Sequence, residues 1–438
     1  MGKKEIKRRN VDGGIILRLN LLGLIVFSLS LVVTGALLVL GGMTRVSAHS
    51  KNTHNGDSPQ QPDGATLFPP GDSRATRASA PWGELVVSDI TIERPEEYIS
   101  PEIKRSQPPA WSFGPMREPE VRNLMLNCGL SPQQTDHALA PALLSVTPTN
   151  TSILPDEALI LSLSPEVRAR FYHELARLPD NHYMEFPFLV PGNNTDAWFA
   201  GSKVDEAVVA KVKSLVYPRG SGLCFSDFDL LMRGLPDEPQ RLQVAKTLSR
   251  QSALLVHLHI RPDTDLQKIL EYWGRGLQIK ETLPLLESLQ RLPEGENISL
   301  LYLLPRFARQ RLYTYPEPPQ PNAPAIDCHW STMNFFNDPP DNRFASTKFT
   351  AQFLRANYYS VPQPTRYGDV VLVLNAEGNI IHSATYLAED IVFTKNGNNS
   401  SQPWTLMRLK DLLANYAFDG GPPKVEVYRN KNPQYSGN

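Results

Sequence analysis

Apolar positions divide the chain into four stretches of different rhythm. From Leu19 to Thr44 no residue is charged, and Leu, Val, Ile, Gly and Ala dominate. About 20 such residues suffice to cross a bilayer. Lys3, Lys4, Lys7, Arg8, Arg9 and Arg18 precede the stretch; Arg45 and Lys51 follow it. The positive-inside rule then puts residues 1–18 in the cytoplasm and everything after residue 44 on the extracytoplasmic side of the cell membrane. Val46-Ser47-Ala48 resembles a signal-peptide cleavage site, but the apolar run is too long for a typical signal core. A single-pass anchor over 19–44 is the expectation.

Periodicity disappears over 45–112, where prolines punctuate a polar sequence. Too little apolar surface is available there to offset ordering entropy, so this stretch reads as a Pro-rich linker. As a flexible chain it would span on the order of 45 Å. Only Glu84 to Ile92 alternates like a strand.

Helical spacing returns over 113–316. Ser164-Pro165-Glu166 reads as an N-cap with proline at N1, and Phe171, Leu175 and Leu178 follow on one face. Val208, Val209, Val212, Leu215 and Val216 form a second stripe. Leu242, Ala245 and Leu248 suggest a third helix, and Leu266, Ile269, Leu270 and Trp273 a fourth. Leu254 to Ile260 reads as a strand. The stretch is expected to be a mainly helical accessory domain.

The prolines from Pro316 to Pro321 mark a boundary. Over 317–438 short helices and strands mix, which predicts a small α+β domain. A helix starts at Cys328, with Asp327 as its N-cap, and a second covers Lys348 to Tyr358. Strands follow over Asp369 to Leu374, Ile380 to Leu387 and Asp390 to Thr394, the last two joined by a tight turn at Ala388-Glu389. A final helix is expected from Trp404 to Tyr416.

The charge balance narrows the partners. There are 44 basic and 45 acidic residues, so no basic excess points to nucleic acid. Three cysteines in an exported chain leave one thiol over. Either Cys128 and Cys224 form a disulfide, or both are small buried hydrophobes. His257 and His259 share one strand face and offer two metal ligands without an obvious third. Arg306, Arg309 and Arg311 read as a solvated helix face, with an anion-binding edge as the rival.

The candidate chemistry is in the last stretch. A thiol at a helix N-terminus gains from the backbone N–H groups and the helix dipole. His382, on a strand, is held by a rigid sheet. A base-activated cysteine is the usual nucleophile for acyl transfer and amide hydrolysis. If Leu387 pairs with Asp390, His382 faces Lys395, about 5 Å away at Cβ. A shift of one residue offers Thr394 or Asn396. Geometry selects Lys395 as the third residue; chemistry selects Asn396, because a lysine disfavours imidazolium. No metal or organic cofactor is required.

Asp327-Cys328 at a helix start, Gly368-Asp369-Val370-Val371 before a strand, and His382 followed by Tyr386-Leu387 and a turn form an ordered set. That set resembles the NlpC-type cysteine peptidases of the papain-like superfamily. The resemblance covers residues 318–438, about a quarter of the chain. It implies a papain-like α+β fold, Cys328 as nucleophile, His382 as base and a polar residue on the next strand as orienter. It also implies a peptide substrate, with cell-wall (peptidoglycan) peptides the common case. The chain departs from the family pattern at His329 and Trp330, where small residues are usual. The expected function is therefore a membrane-anchored cysteine hydrolase that cleaves an amide. The alternatives are a non-catalytic envelope binding protein on the same fold and an acyltransferase.

Overall fold

Strand pairing begins inside the stretch that reads as linker. The computed structural model describes residues 80–104, 108–274, 279–317, 326–364, 366–397, 401–417 and 423–432. β1 (Glu84–Ile92) pairs antiparallel with β8 (Gln251–Ile260) along its whole length, from Glu84 opposite His259 to Ile92 opposite Gln251. β9 (Glu296–Ser299) completes this three-stranded sheet on the other side of β8. The alternation of residues 84–92 announced a strand; its partner lies more than 150 residues away and left no local signal.

Two further sheets lie in the stretch expected to be mainly helical. β2 (Trp111–Ser112), β3 (Leu144–Val146) and β4 (Thr151–Ile153) pair in the order β2-β4-β3. β5 (Phe188–Leu189), β6 (Tyr217–Arg219) and β7 (Gly222–Phe225) pair in the order β5-β7-β6. The fold class is thereby corrected to a mixed α/β architecture with several antiparallel sheets. Strands of two to four residues are too short to display a period of two, so helical spacing dominated the pattern.

The helices themselves form where the pattern puts them. Pro165–Leu175 starts at Ser164, whose hydroxyl accepts from the Val167 N–H, and it buries Phe171 and Leu175. Glu206–Leu215 is capped by Asp205, Glu238–Leu248 by Asp237 and Leu266–Trp273 by Asp265. Each cap occupies N–H groups that no helical carbonyl can reach.

The membrane anchor is also corrected as an element of this fold. Among the described residues no helix is long and apolar enough to cross a membrane. The stretch 19–44 itself lies outside the described residues. Of the two readings of Cys128 and Cys224, the structure has the second: both thiols are free and buried. They behave as small core hydrophobes.

Apolar side chains gather into two main cores. One joins Trp111, Phe113, Phe171, Tyr172, Trp198 and Phe225 with the helices up to Leu248. The second runs from Leu85 and Leu254 through Phe307 to Trp330, Phe393 and Leu406. It crosses the proline-rich boundary, so the sheet of β1, β8 and β9 shares its core with the C-terminal sheet. Tyr272 adds a polar tie, its hydroxyl donating to the Leu387 carbonyl at 2.6 Å.

The C-terminal sheet has six strands: β10 (Tyr358–Val361), β11 (Val370–Leu374), β12 (Ile380–Ala388), β13 (Ile391–Lys395), β14 (Trp404–Arg408) and β15 (Lys424–Asn430). Their order is β10-β15-β11-β12-β13-β14, antiparallel throughout. The expected helix from Trp404 to Tyr416 is thus split. Trp404 to Arg408 pair with Lys395 to Ile391, and only Leu409–Asn415 is helical. Apolar alternation and apolar helical spacing coincide over these few residues, and the free edge of β13 decides for strand.

Gly368-Asp369 has a structural reason. Gly368 takes φ 91°, open to glycine at little cost, and turns the chain into β11. Asp369 then accepts from Arg429 Nε at 2.8 Å and Nη2 at 2.6 Å, a two-pronged buried ion pair that joins β11 to β15.

Candidate active site

Asp327 begins the site. Its side chain accepts from the Trp330 N–H at 2.7 Å and starts the six-residue helix Cys328–Met333. Ser331 Oγ donates to the Asp327 carbonyl and accepts from Trp404 Nε1 at 2.9 Å. Trp330 is buried against Phe307, with ring centroids 5.3 Å apart. The helix is therefore pinned to β14 and to the second core, and its first residue is held in place.

His382, fully buried on β12, is the next member. Its Nε2 is 2.7 Å from Thr394 Oγ1 on β13. Its ring stacks on Tyr416 with centroids 4.4 Å apart and planes at 22°. Nδ1 is buried without a hydrogen-bond partner. The imidazole lowers the Cys328 pKa chiefly by its charge.

Thr394 stands where Lys395 and Asn396 were expected. Thr385 faces Phe393 and Tyr386 faces Val392, so His382 shares a face with Thr394 and not with Lys395. The turn falls at Glu389-Asp390, with Glu389 at φ 52°, and a register shift between Tyr386 and Ala388 leaves Leu387 as the extra residue of β12, which moves the frame. Lys395 is buried on the other face and donates to the Gly397 carbonyl at 2.9 Å. Burial pulls its ammonium down to about 8, against the negative charges of Cys328 and Asp327. Asn396 donates to Met407 Sδ at 3.3 Å and does not hold the imidazole.

His329 is a functional candidate that sequence reasoning passed over. It read only as a bulky departure from a family pattern. Its Nδ1 is 2.9 Å from Ser383 Oγ, which donates onward to Thr332 Oγ1 at 3.2 Å. This anchors the ring beside the thiol. Adjacency to Cys328 was the one available signal; the anchor lies 54 residues away.

Two imidazoles therefore flank one sulfur. Burial pushes the Cys328 thiol up, but the charges of His329 and then His382 bring it well below the ordinary thiol value. Burial works against His329 as an imidazolium, yet the Cys328 thiolate, with Asp327, lifts it to about 9. Burial and the Cys328 charge raise the Asp327 carboxyl. The same two causes raise the Tyr416 hydroxyl. The arrangement can supply a thiolate nucleophile, a cation beside it and a second imidazole with a free nitrogen.

Other expected sites do not join this one. His259 Nδ1 pairs with Asn297 Oδ1 at 3.0 Å. Among the described residues no group of three His, Cys, Asp or Glu side chains is placed to hold a metal ion. Arg311 lies 4.1 Å over the Phe307 ring and faces Trp330 and Trp404 at 5.6 and 5.8 Å. It braces the wall behind the cysteine helix through cation–π contact rather than offering an anion site.

Comparison with known proteins gives no matching family model, no matching curated protein and no matching solved structure. The NlpC-type resemblance rests on the residues around Cys328, Gly368 and His382 alone.

Proposed function

We propose that the chain is a cysteine hydrolase of amide bonds, with Cys328 as nucleophile and His382 as general base. The observation that carries this reading is a buried thiol at the start of a helix capped by Asp327, next to a His329 anchored by Ser383, with a His382 held by Thr394 acting on it in the same direction. Structural cysteines lack such partners, and perturbed groups of this kind cluster at functional sites.

In the proposed mechanism His382 takes the thiol proton, and Thr394 holds the ring through Nε2. The thiolate attacks the amide carbonyl carbon, and the carbonyl electron pair moves onto oxygen. His329, as imidazolium beside the sulfur, is the nearest cation to that oxyanion. Collapse of the intermediate breaks the C–N bond, and His382 gives its proton to the leaving amine. Water then attacks the thioester, His382 accepts the water proton, and Cys328 leaves as thiolate. Cell-wall peptides are the first substrates to test, on the resemblance alone.

The test is mass-spectrometric detection of amide cleavage in a panel of cell-wall and ordinary peptides, for the wild type and for Cys328→Ser. Cleavage lost in the variant supports the reading; cleavage that survives it refutes the role of the thiol. Cys328 is only 6 % exposed and His382 0 %, which favours a second reading as a non-catalytic binding protein. That reading predicts peptide binding without cleavage, unchanged in Cys328→Ser.

A further inference from the structure

Ile391, Phe393 and Lys395 share one face of β13. Ile391 and Phe393 are buried in the second core, as that face requires. Lys395 continues the row as a fully buried ammonium where the pattern calls for an apolar side chain. Its neighbours place it at the site. On one side it pairs with Trp404 of β14, whose Nε1 donates to Ser331 Oγ at 2.9 Å. On the other side, the Thr385–Phe393 register carried two residues further sets Ser383 opposite it. Ser383 Oγ is the group 2.9 Å from His329 Nδ1. Lys395 thus stands between the two side chains that hold the Cys328–Met333 helix to the sheet.

Packing gives no reason for a charge at this position. A buried ammonium is costly unless opposite charge is built in beside it. The Gly397 carbonyl, which accepts from Nζ at 2.9 Å, is neutral. Burial pulls the ammonium down to about 8, and the charges of Cys328 and Asp327 oppose that pull. The effect is mutual. Burial and the Cys328 charge raise the Asp327 carboxyl, and His329 and Lys395 are among the groups that oppose the rise. Two anions and two cations therefore gather at the helix start: Asp327 and Cys328 against His329 and Lys395. His382 acts on the same sulfur from β12, and Arg311 is engaged over the Phe307 and Trp404 rings.

We propose that Lys395 is a positioning residue of the Cys328 site: its ammonium offsets the Asp327 carboxylate, so that the His329 charge stays with the sulfur. The inference rests on the hydrolase reading above, in which a thiolate is the nucleophile. Without the ammonium, the helix start carries two anions against one imidazolium beside them. The thiol then keeps its proton to higher pH.

The experiment reads the pH profile of iodoacetamide labelling at Cys328 by mass spectrometry. It uses four forms of the full protein: wild type, Lys395→Met, Asp327→Asn and the double variant. Methionine keeps much of the lysine bulk without its charge, and asparagine still caps the helix. Lys395→Met should move the midpoint up, so that labelling at about pH 6 slows about tenfold. Asp327→Asn alone should move it down. The double variant, which has lost one charge of each sign, should label within about threefold of the wild-type rate. The step from Asp327→Asn to the double variant repeats the removal of the ammonium without the carboxylate, so a folding defect of Lys395→Met alone does not hide the result. A profile that does not move when Lys395 is replaced in either background overturns the assignment. So does a double variant as slow as Lys395→Met, because methionine would then act by disturbing the helix and not by removing charge. A wild-type Cys328 that does not label at about pH 6 refutes the hydrolase reading instead, so the two failures are distinct.

Discussion

Cys128 and Cys224 lie in the first core and Cys328 lies at the C-terminal sheet, and all three are buried. Their chemistry diverges. Burial, then the Glu174 charge, pushes the Cys128 thiol up to about 11. Burial pushes Cys224 up to about 12. Burial is also the largest single influence on Cys328, yet that thiol falls well below its ordinary value. The difference is two imidazoles. A low-dielectric setting disfavours a thiolate until opposite charge is built in beside it, and then strengthens that attraction.

The comparison breaks most severely if the sulfur is exchanged. Cys328→Ser should lower amide turnover by about 10⁴-fold or more, since a serine hydroxyl at this position is not ionised. Loss of activity is read by substrate cleavage, with circular dichroism to confirm the fold. A scaffold change of large energy provides the contrast. Asp369→Ala leaves Arg429 as a buried, unpaired cation and should cost about 3–5 kcal/mol in urea unfolding. A loss under about 1 kcal/mol would mean that the ion pair is not the tie between β11 and β15.

Smaller changes sharpen the comparison by returning Cys328 toward the other thiols. His329→Gln removes the charge beside the sulfur while keeping a side chain able to reach Ser383. The Cys328 pKa should rise, and labelling at about pH 6 should slow about tenfold for each pKa unit regained. Thr394→Val removes the hydrogen bond to His382 Nε2 and should cost about 0.5–1.5 kcal/mol in the activation of any cleavage. Asn396→Ala, whose amide does not meet the imidazole, should change the Cys328 labelling rate by less than about twofold. That substitution separates Thr394 from Asn396 as the residue that holds the imidazole.

Local features of the site were legible in the sequence, and those set by distant pairing were not. Asp327 caps the cysteine helix through a contact three residues away, which sequence displays directly. Val370–Leu374, Ile380–Ala388 and Ile391–Lys395 lie within a residue or so of the strands read from their patterns. Thr394 entered the sequence reading only as a one-residue shift, because the turn position and the extra residue at Leu387 decide which side chains share a face with His382. His329 was missed as a participant because its anchor, Ser383, lies on β12, 54 residues away in sequence.

The pH behaviour follows from the signs of two shifts. The depressed Cys328 pKa keeps the thiolate as pH falls below the ordinary thiol range, until pH passes through the folded value. The raised His329 pKa keeps the imidazolium as pH rises, until pH passes through about 9. Between those limits the ion pair is intact and contributes to stability; it is lost on either side. The most direct test is the pH profile of iodoacetamide labelling of the native protein, read at each cysteine by mass spectrometry. Cys328 should label at about pH 6, while Cys128 and Cys224 stay silent until well above the free-thiol value of about 8.5. A Cys328 that stays silent with them, and whose profile does not move in His329→Gln or His382→Ala, would contradict the thiolate between two imidazoles.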